Sequence, residues 1–408
     1  MRSPIIIKKK SEVTGNVSHL PSSKSLSNRA LILNALSNNQ SVVSNLSSAR
    51  DTRLMQSLVD SPDHVINVMD AGTTMRFLTA YFAVTGKPKI LTGTDRMKQR
   101  PIALLVDSLR TLGADIRYLE AEGFPSIEIL AFNGQKTNEV AIPGNISNQY
   151  ISALMMVAPV LPQGLHLHLQ GKIGSRPYIE MTAALMRQFG ASVTWKDQTI
   201  QVAPSSFQKT TYRVEPDWSA ASYWFGFTAL APKAQITLPD VAEFALQGDK
   251  VIIEIMDQLG VQSEFKNGDL NLSKKQHQPH LEWNFTDCPD LAQTVLPVCV
   301  AKGITGTFTG LESLRIKETD RIAALQNELG KLGGRLEENG STWRLFPGDV
   351  KSVSSVVIDT YHDHRMAMGL APLATLMDVQ INDPEVINKS YPDFWNDMID
   401  IGFTIQES

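Results

Sequence analysis

The sequence predicts an α/β protein built from six repeated units, three in each of two domains. Three observations carry this: the chain length, a recurring helix end and a recurring helix start. The 408 residues are too many for one core, since single cores stop growing at roughly 250–300 residues. Apolar helical segments end repeatedly in a Leu-Gly-like step that leads into a strand. The steps are Leu112-Gly113-Ala114, Phe189-Gly190-Ala191, Leu259-Gly260-Val261, Leu332-Gly333-Gly334 and Ile401-Gly402-Phe403. Their glycines lie 77, 70, 73 and 69 residues apart, where a left-handed residue closes a helix at little cost.

A second helix type starts near Lys24, Gly72, Ser147, Ser219, Pro289 and Asp363. Each opens on residues that cap well and runs into small and apolar ones, such as Ala30-Leu31-Ile32-Leu33 and Met155-Met156-Val157-Ala158. Alternating strands follow, as in Leu165-His166-Leu167-His168-Leu169 and Gln235-Ile236-Thr237-Leu238. The first unit is about 20 residues short by this period: between Leu58 and Asp70 there is room for one brief strand, Val65–Val68. Crossings at Leu20–Lys24 and Arg213–Trp218 give a discontinuous domain of residues 1–22 with 217–408, and a continuous one of 23–216. A strand before Lys24 then belongs to the discontinuous domain.

The 42% hydrophobic and 20% charged fractions exclude disordered, collagenous and coiled-coil classes. No run of 18 apolar residues occurs, so no membrane span is expected. Met1-Arg2-Ser3-Pro4 leads into three isoleucines and three lysines, without the apolar core of a signal peptide. Cys288 and Cys299 are too few for a disulfide framework and read as small apolar packers. A soluble cytoplasmic protein, acting as a monomer, is the expectation. The net charge of −4 disfavours nucleic acid or an anionic membrane as partner.

The cations nevertheless gather at helix starts. Lys24 and Arg29 flank Ser25-Leu26-Ser27-Asn28; Arg96, Lys98 and Arg100 precede Leu104-Leu105; Arg176 follows Ser175. Lys317 and Arg321 flank Glu318 and Asp320, and His364-Arg365 opens another helix. Helix N-termini already carry unpaired N–H groups and partial positive charge. Cations there suit bound anions, phosphate above all. At roughly 1.5–3 kcal/mol per charge-assisted bond, five or six of them could hold two anionic groups. Asp290 after Pro289, and Glu318 between Lys317 and Asp320, are the acid–base candidates; a cation-flanked Glu318 should ionise readily. His166 and His168 read as an exposed strand face rather than a metal site, and His362 and His364 lack ligand partners for zinc. No GxxxxGK[ST] loop occurs, which counts against ATP.

Six strings carry a resemblance: Ser23-Lys24-Ser25-Leu26-Ser27-Asn28-Arg29-Ala30, Asp70-Ala71-Gly72-Thr73-Thr74-Met75-Arg76, Arg96-Met97-Lys98-Gln99-Arg100-Pro101-Ile102, Ser175-Arg176-Pro177-Tyr178-Ile179, Lys317-Glu318-Thr319-Asp320-Arg321 and Asp363-His364-Arg365-Met366-Ala367-Met368. In this order the chain resembles the 3-phosphoshikimate 1-carboxyvinyltransferase (EPSP synthase) family. The resemblance implies a two-domain inside-out α/β barrel of six βαβαββ repeats, helices inward and sheets outward, with the first repeat shortened here. It implies a reaction of phosphoenolpyruvate with shikimate 3-phosphate that releases phosphate in aromatic amino-acid synthesis, with no metal or organic cofactor.

It also implies roles. Lys24, Ser25 and Arg29 hold shikimate 3-phosphate; Ser147, Asn148 and Ser175 bind its phosphate, with Gln149, Tyr178, Ser313 and Lys317 also in that pocket. Phosphoenolpyruvate falls to Lys24, Gly72, Arg100, Gln149, Arg321, Arg365 and Lys389. Asp290 takes the 5-hydroxyl proton and Glu318 protonates the methylene carbon, Lys24 assisting. Glyphosate is expected to compete with phosphoenolpyruvate, because Gly72 has no Cβ to crowd it.

The chain departs from the family at Asp70 (usually Asn), Asn148 (usually Ser), Ser313 (often Asn) and Phe77 (commonly Pro). Asp70 is expected to cap the Gly72 helix. Two rival readings are weighed. A sister enzyme transferring enolpyruvyl to UDP-N-acetylglucosamine usually has a Cys in the segment matching Thr92–Arg100, which here has none. A non-catalytic anion-binding repeat scaffold would not need both Asp290 and Glu318.

Overall fold

The computed structural model describes residues 3–407. The chain forms two compact units, Met1–Ser22 with Glu215–Ser408, and Ser23–Val214. Both are α/β, with buried helices and mixed sheets.

In the Ser23–Val214 unit three helices, Lys24–Leu36, Gly72–Val84 and Asn148–Val157, are buried over most of their length and pack on one another. Their burial on nearly every side, with Asn28, Arg29 and Arg76 included, is that of helices surrounded by protein. Helices Arg50–Leu58, Ala103–Leu112 and Arg176–Gln188 are one-sided instead. Ala103–Leu112, for example, buries Leu105, Val106, Ser108, Leu109 and Leu112, the spacing of a single core-facing stripe.

Two four-stranded sheets share one order in this unit. Val65–Asn67 runs parallel to Lys89–Thr92, which pairs antiparallel with Ile127–Phe132, itself antiparallel to Ala114–Tyr118. Glu139–Pro143, Leu165–Gln170, Thr199–Val202 and Val193–Lys196 repeat it. The third sheet has only the parallel pair Val42–Ser44 and Thr211–Arg213 among the described residues. After the Arg50–Leu58 helix the chain reaches Val65–Asn67 within six residues, too few for another hairpin.

The other unit is centred on Trp218–Leu230, buried at all thirteen positions, with Ala292–Lys302 and His364–Leu370 beside it. Gly369 allows one close approach: a Cβ there would lie 2.2 Å from the Gln293 carbonyl oxygen. Helices Ile252–Gln258, Arg321–Gly330 and Phe394–Asp400 again bury one side. Its three sheets have the same order of one parallel and two antiparallel pairings. The N-terminal segment supplies two strands to them rather than one, Ile5–Ile7 and Glu12–Asn16. The five helix-ending glycines have φ between 76° and 122°, the left-handed region that glycine tolerates best.

Candidate active site

Within the Glu215–Ser408 unit, helix starts deliver the charged residues. Asp290 sits in the turn Pro289–Leu291 that leads into Ala292–Lys302. Arg321 opens its helix behind the Asp320 cap, and Arg365 follows the Asp363 cap of the next. Arg321 is 1% exposed and serves three carboxylates: Nε donates to Asp363 at 2.6 Å, Nη1 to Asp290 at 2.9 Å and Nη2 to Glu318 at 2.9 Å. A planar fork of five donors spreads these bonds over three nitrogens, which a single ammonium nitrogen does not.

Asp290 receives two more cations, Arg365 Nη2 at 3.1 Å and Lys317 Nζ at 3.4 Å. Burial opposes its ionisation, but Arg365, Lys317 and Arg321 outweigh burial and hold the carboxyl well below its usual range. Burial likewise opposes the charge on Arg321, and Asp363, Glu318 and Asp290 restore it. Lys389, 3% exposed, stands 4.0 Å from Glu318. Ser313 lies exposed in the turn Glu312–Ile316.

Other residues of this unit were not foreseen from sequence. Arg365 Nη1 is 3.5 Å from the Tyr223 hydroxyl, whose pKa burial pushes up to about 12. Asp249 is fully buried and accepts from Ser219 Oγ, with Gln247 bridging Ser219 and Asp217. Burial raises the Asp249 pKa to about 6, while Arg365 acts against it. Only the Asp-His-Arg cap signature of Asp363 was visible beforehand.

In the Ser23–Val214 unit, Lys24 lies 3.6 Å from the buried Asp51 carboxylate, another residue sequence reasoning missed. Arg29 is 2% exposed and donates to Thr182 Oγ1 at 2.7 Å, the Ser25 carbonyl at 2.9 Å and Ser152 Oγ at 3.1 Å. Burial without a carboxylate partner lowers its pKa to about 10. Arg76 donates to the Gly72 carbonyl at 2.8 Å, and the buried Arg100 lies over the same glycine. Gln149 Nε2 donates to Thr73 Oγ1 at 2.9 Å, joining the Asn148 helix to that turn. Ser147 caps the Asn148 helix through Gln149 N. Ser175 holds a left-handed φ of 51° one residue before the Arg176–Gln188 helix, where Tyr178 is 8% exposed.

Several expectations resolve differently. The Gly72–Val84 helix has no side-chain cap; Asp70 instead accepts from Arg50 Nη2 at 2.5 Å, because an oppositely charged neighbour competes better for it than a backbone N–H. Lys98 and Arg176 pair with Glu120 and Glu180 on the surface. Phe77 is fully buried with the Arg29 guanidinium 5.3 Å from its ring centre. Burial pushes the Cys288 thiol up to about 12 and Cys299 higher still, consistent with inert packing.

Comparison with known proteins identifies the family. A family model described as EPSP synthase (3-phosphoshikimate 1-carboxyvinyltransferase) matches residues 7–61 and 56–398. A 3-phosphoshikimate 1-carboxyvinyltransferase of Bacteroides fragilis is 46% identical, covering 95% of each chain. One of Idiomarina loihiensis is 34% identical, over 93% of this chain and 94% of the relative. An EPSP synthase structure from Acinetobacter baumannii superposes with TM-score 0.78 at 18% identity over 99% of both chains. The enolpyruvyl transferase NikO of Streptomyces tendae gives 0.73 at 14% identity, over 99% of this chain and 98% of the other. The chain therefore belongs to the EPSP synthase (3-phosphoshikimate 1-carboxyvinyltransferase) family.

Proposed function

We propose that the protein transfers the enolpyruvyl group of phosphoenolpyruvate to the 5-hydroxyl of shikimate 3-phosphate and releases phosphate, as a cytoplasmic monomer of the shikimate pathway. The observation that carries this reading is Arg321, whose two Nη groups bridge Asp290 and Glu318. The transfer needs a base for a hydroxyl and an acid for the neighbouring alkene carbon, and those two carboxyls share one guanidinium.

Asp290 takes the 5-hydroxyl proton as that oxygen bonds to C2 of phosphoenolpyruvate. Glu318, assisted by Lys24, protonates C3. Loss of a proton from the new methyl group and departure of phosphate then restore the alkene. A carboxylate held by three cations is a weak base. An anionic substrate on Arg321 and Arg365 takes up part of their charge and returns proton affinity to Asp290. A second anionic group of the same substrate, on Lys389, does the same for Glu318.

Phosphoenolpyruvate is assigned to Lys24, Gly72, Arg100, Gln149, Arg321, Arg365 and Lys389. Shikimate 3-phosphate is assigned to Lys24, Ser25, Arg29, Ser147, Asn148, Gln149, Ser175, Tyr178, Asp290, Ser313 and Lys317. Fixed cations of this kind stabilise charge developing on a leaving phosphate. We also read each unit as three βαβαββ repeats with helices inside and sheets outside. The shared sheet order supports this, and we read the two-stranded Val42–Ser44 and Thr211–Arg213 sheet as belonging to the shortened first repeat. The divisions 1–22 with 217–408, and 23–216, are proposed as its functional domains.

The test is product formation from the two substrates without added metal, with UDP-N-acetylglucosamine as a competing acceptor. Turnover with shikimate 3-phosphate alone is expected. Turnover with the sugar nucleotide, or with neither, would overturn the assignment.

A further inference from the structure

We propose that Glu139, His166 and His168 form a binding site for a divalent transition-metal ion of the zinc type, outside the residues assigned to the reaction. The strand Leu165–Gln170 buries Leu165, Leu167 and Leu169 at 0%, 0% and 1% exposure. Strand alternation then forces His166 and His168 onto the opposite face, two residues apart. The sequence showed this pair without a third ligand. Parallel pairing of Glu139–Pro143 with Leu165–Gln170 sets Glu139 in register with His166, which the sequence could not show.

The three side chains already turn toward one another. His166 Nδ1 lies 2.8 Å from Glu139 Oε1, and His168 Nε2 lies 2.5 Å from Glu139 Oε2. On its far side His168 Nδ1 is 3.1 Å from Thr199 Oγ1, in the neighbouring strand. The carboxylate can only accept, so His168 Nε2 carries its proton here; a bound ion displaces that proton, and Thr199 Oγ1 then accepts from Nδ1–H as the outer partner of a ligating ring. Two imidazoles and a carboxylate on a rigid sheet, with remaining positions open to water, are the donor set zinc takes. Their side chains are 36%, 46% and 50% exposed for His166, His168 and Glu139, so small rotations can close them on an ion.

Among the described residues His19, Asp397 and Asp400 bring three ligand atoms within 4.8 Å of one another, a closeness that Glu139, His166 and His168 reach only after their side chains close on an ion. There the buried Asp397 is already committed. It accepts from the His19 backbone N–H and ring, both at 2.9 Å, and from the Tyr391 hydroxyl at 2.5 Å. That arrangement anchors His19 and is not chosen.

The experiment is calorimetric titration of the chelator-stripped full chain with zinc sulfate near neutral pH. Zinc is expected to bind one equivalent at this site and to raise the thermal midpoint, as a ligand of the native state must. His166→Gln and His168→Gln are each expected to weaken that event more than about tenfold, the loss that even outer partners of a metal cause. His19→Gln should leave it intact, and turnover should be unaffected by all three. Wild type that binds no zinc, or a double His166→Gln, His168→Gln variant that binds it with unchanged stoichiometry and affinity, would overturn the proposal. Circular dichroism of each variant separates lost ligands from lost fold.

Discussion

Gly72 and Arg100 are neighbours through an absent side chain: a Cβ on Gly72 would lie 2.6 Å from Arg100 Nη1 and 2.7 Å from Arg76 Nη1. Gly72→Ala must therefore displace at least one guanidinium. The expected result is a several-fold rise in KM for phosphoenolpyruvate with a smaller change in kcat, since Arg100 is proposed to bind that substrate rather than transfer protons. Glyphosate should compete with phosphoenolpyruvate in the wild type and lose affinity in the variant. Wild-type enzyme indifferent to millimolar glyphosate would count against this use of the turn.

Asp290→Asn keeps the shape of the side chain and removes its proton affinity. A loss of roughly 10²–10⁴-fold in kcat is expected for a general base, with the fold retained. Near-normal turnover in steady-state assays would remove Asp290 from the mechanism.

Arg321 is the sole guanidinium hydrogen-bonded to the fully buried Asp363 among the described contacts. Arg321→Met leaves that carboxylate the Arg365 backbone N–H and the neighbouring His364 ring but no guanidinium, and breaking a buried ion pair costs about 3–5 kcal/mol. Thermal unfolding should show a lowered midpoint, with Arg321→Lys intermediate because it keeps the charge and loses the fork. An unchanged midpoint in the methionine variant would show that Asp363 is stabilised some other way.

Two carboxyls give opposite pH signatures. Asp290 has its pKa depressed in the fold, so its contribution to stability is present above the unfolded value near 3.8 and fades as pH falls. Asp249 is raised from 3.8 to about 6. Its contribution is complete below 3.8 and is lost as pH rises through 6, a difference of about 3 kcal/mol for a two-unit shift. Unfolding midpoints measured from pH 4 to pH 7 should fall less steeply for Asp249→Asn than for wild type. Parallel curves would refute the assignment.

Much of this was legible in the chain. Helix starts near Lys24, Gly72, Ser147, Pro289 and Asp363 announce themselves because capping and helix-ending are local chemistry, settled within a few residues. The structure begins helices at Lys24, Gly72, Asn148 and His364, and a turn at Pro289. The short link between Leu58 and Val65 was legible too, since six residues cannot span two strands. The Asp70 cap was misjudged because its competitor, Arg50, lies 20 residues away and reaches it only after folding.

What the sequence determined alone is therefore the α/β character and the identity of the charged residues at each helix start. Tertiary structure decided which of them meet. Arg321 collects carboxylates 3, 31 and 42 residues distant, and Glu139 joins two histidines through strand register. Separations of that kind are set by how helices and sheets pack, since a Coulombic pairing depends on distance in space and on burial, and local sequence encodes neither.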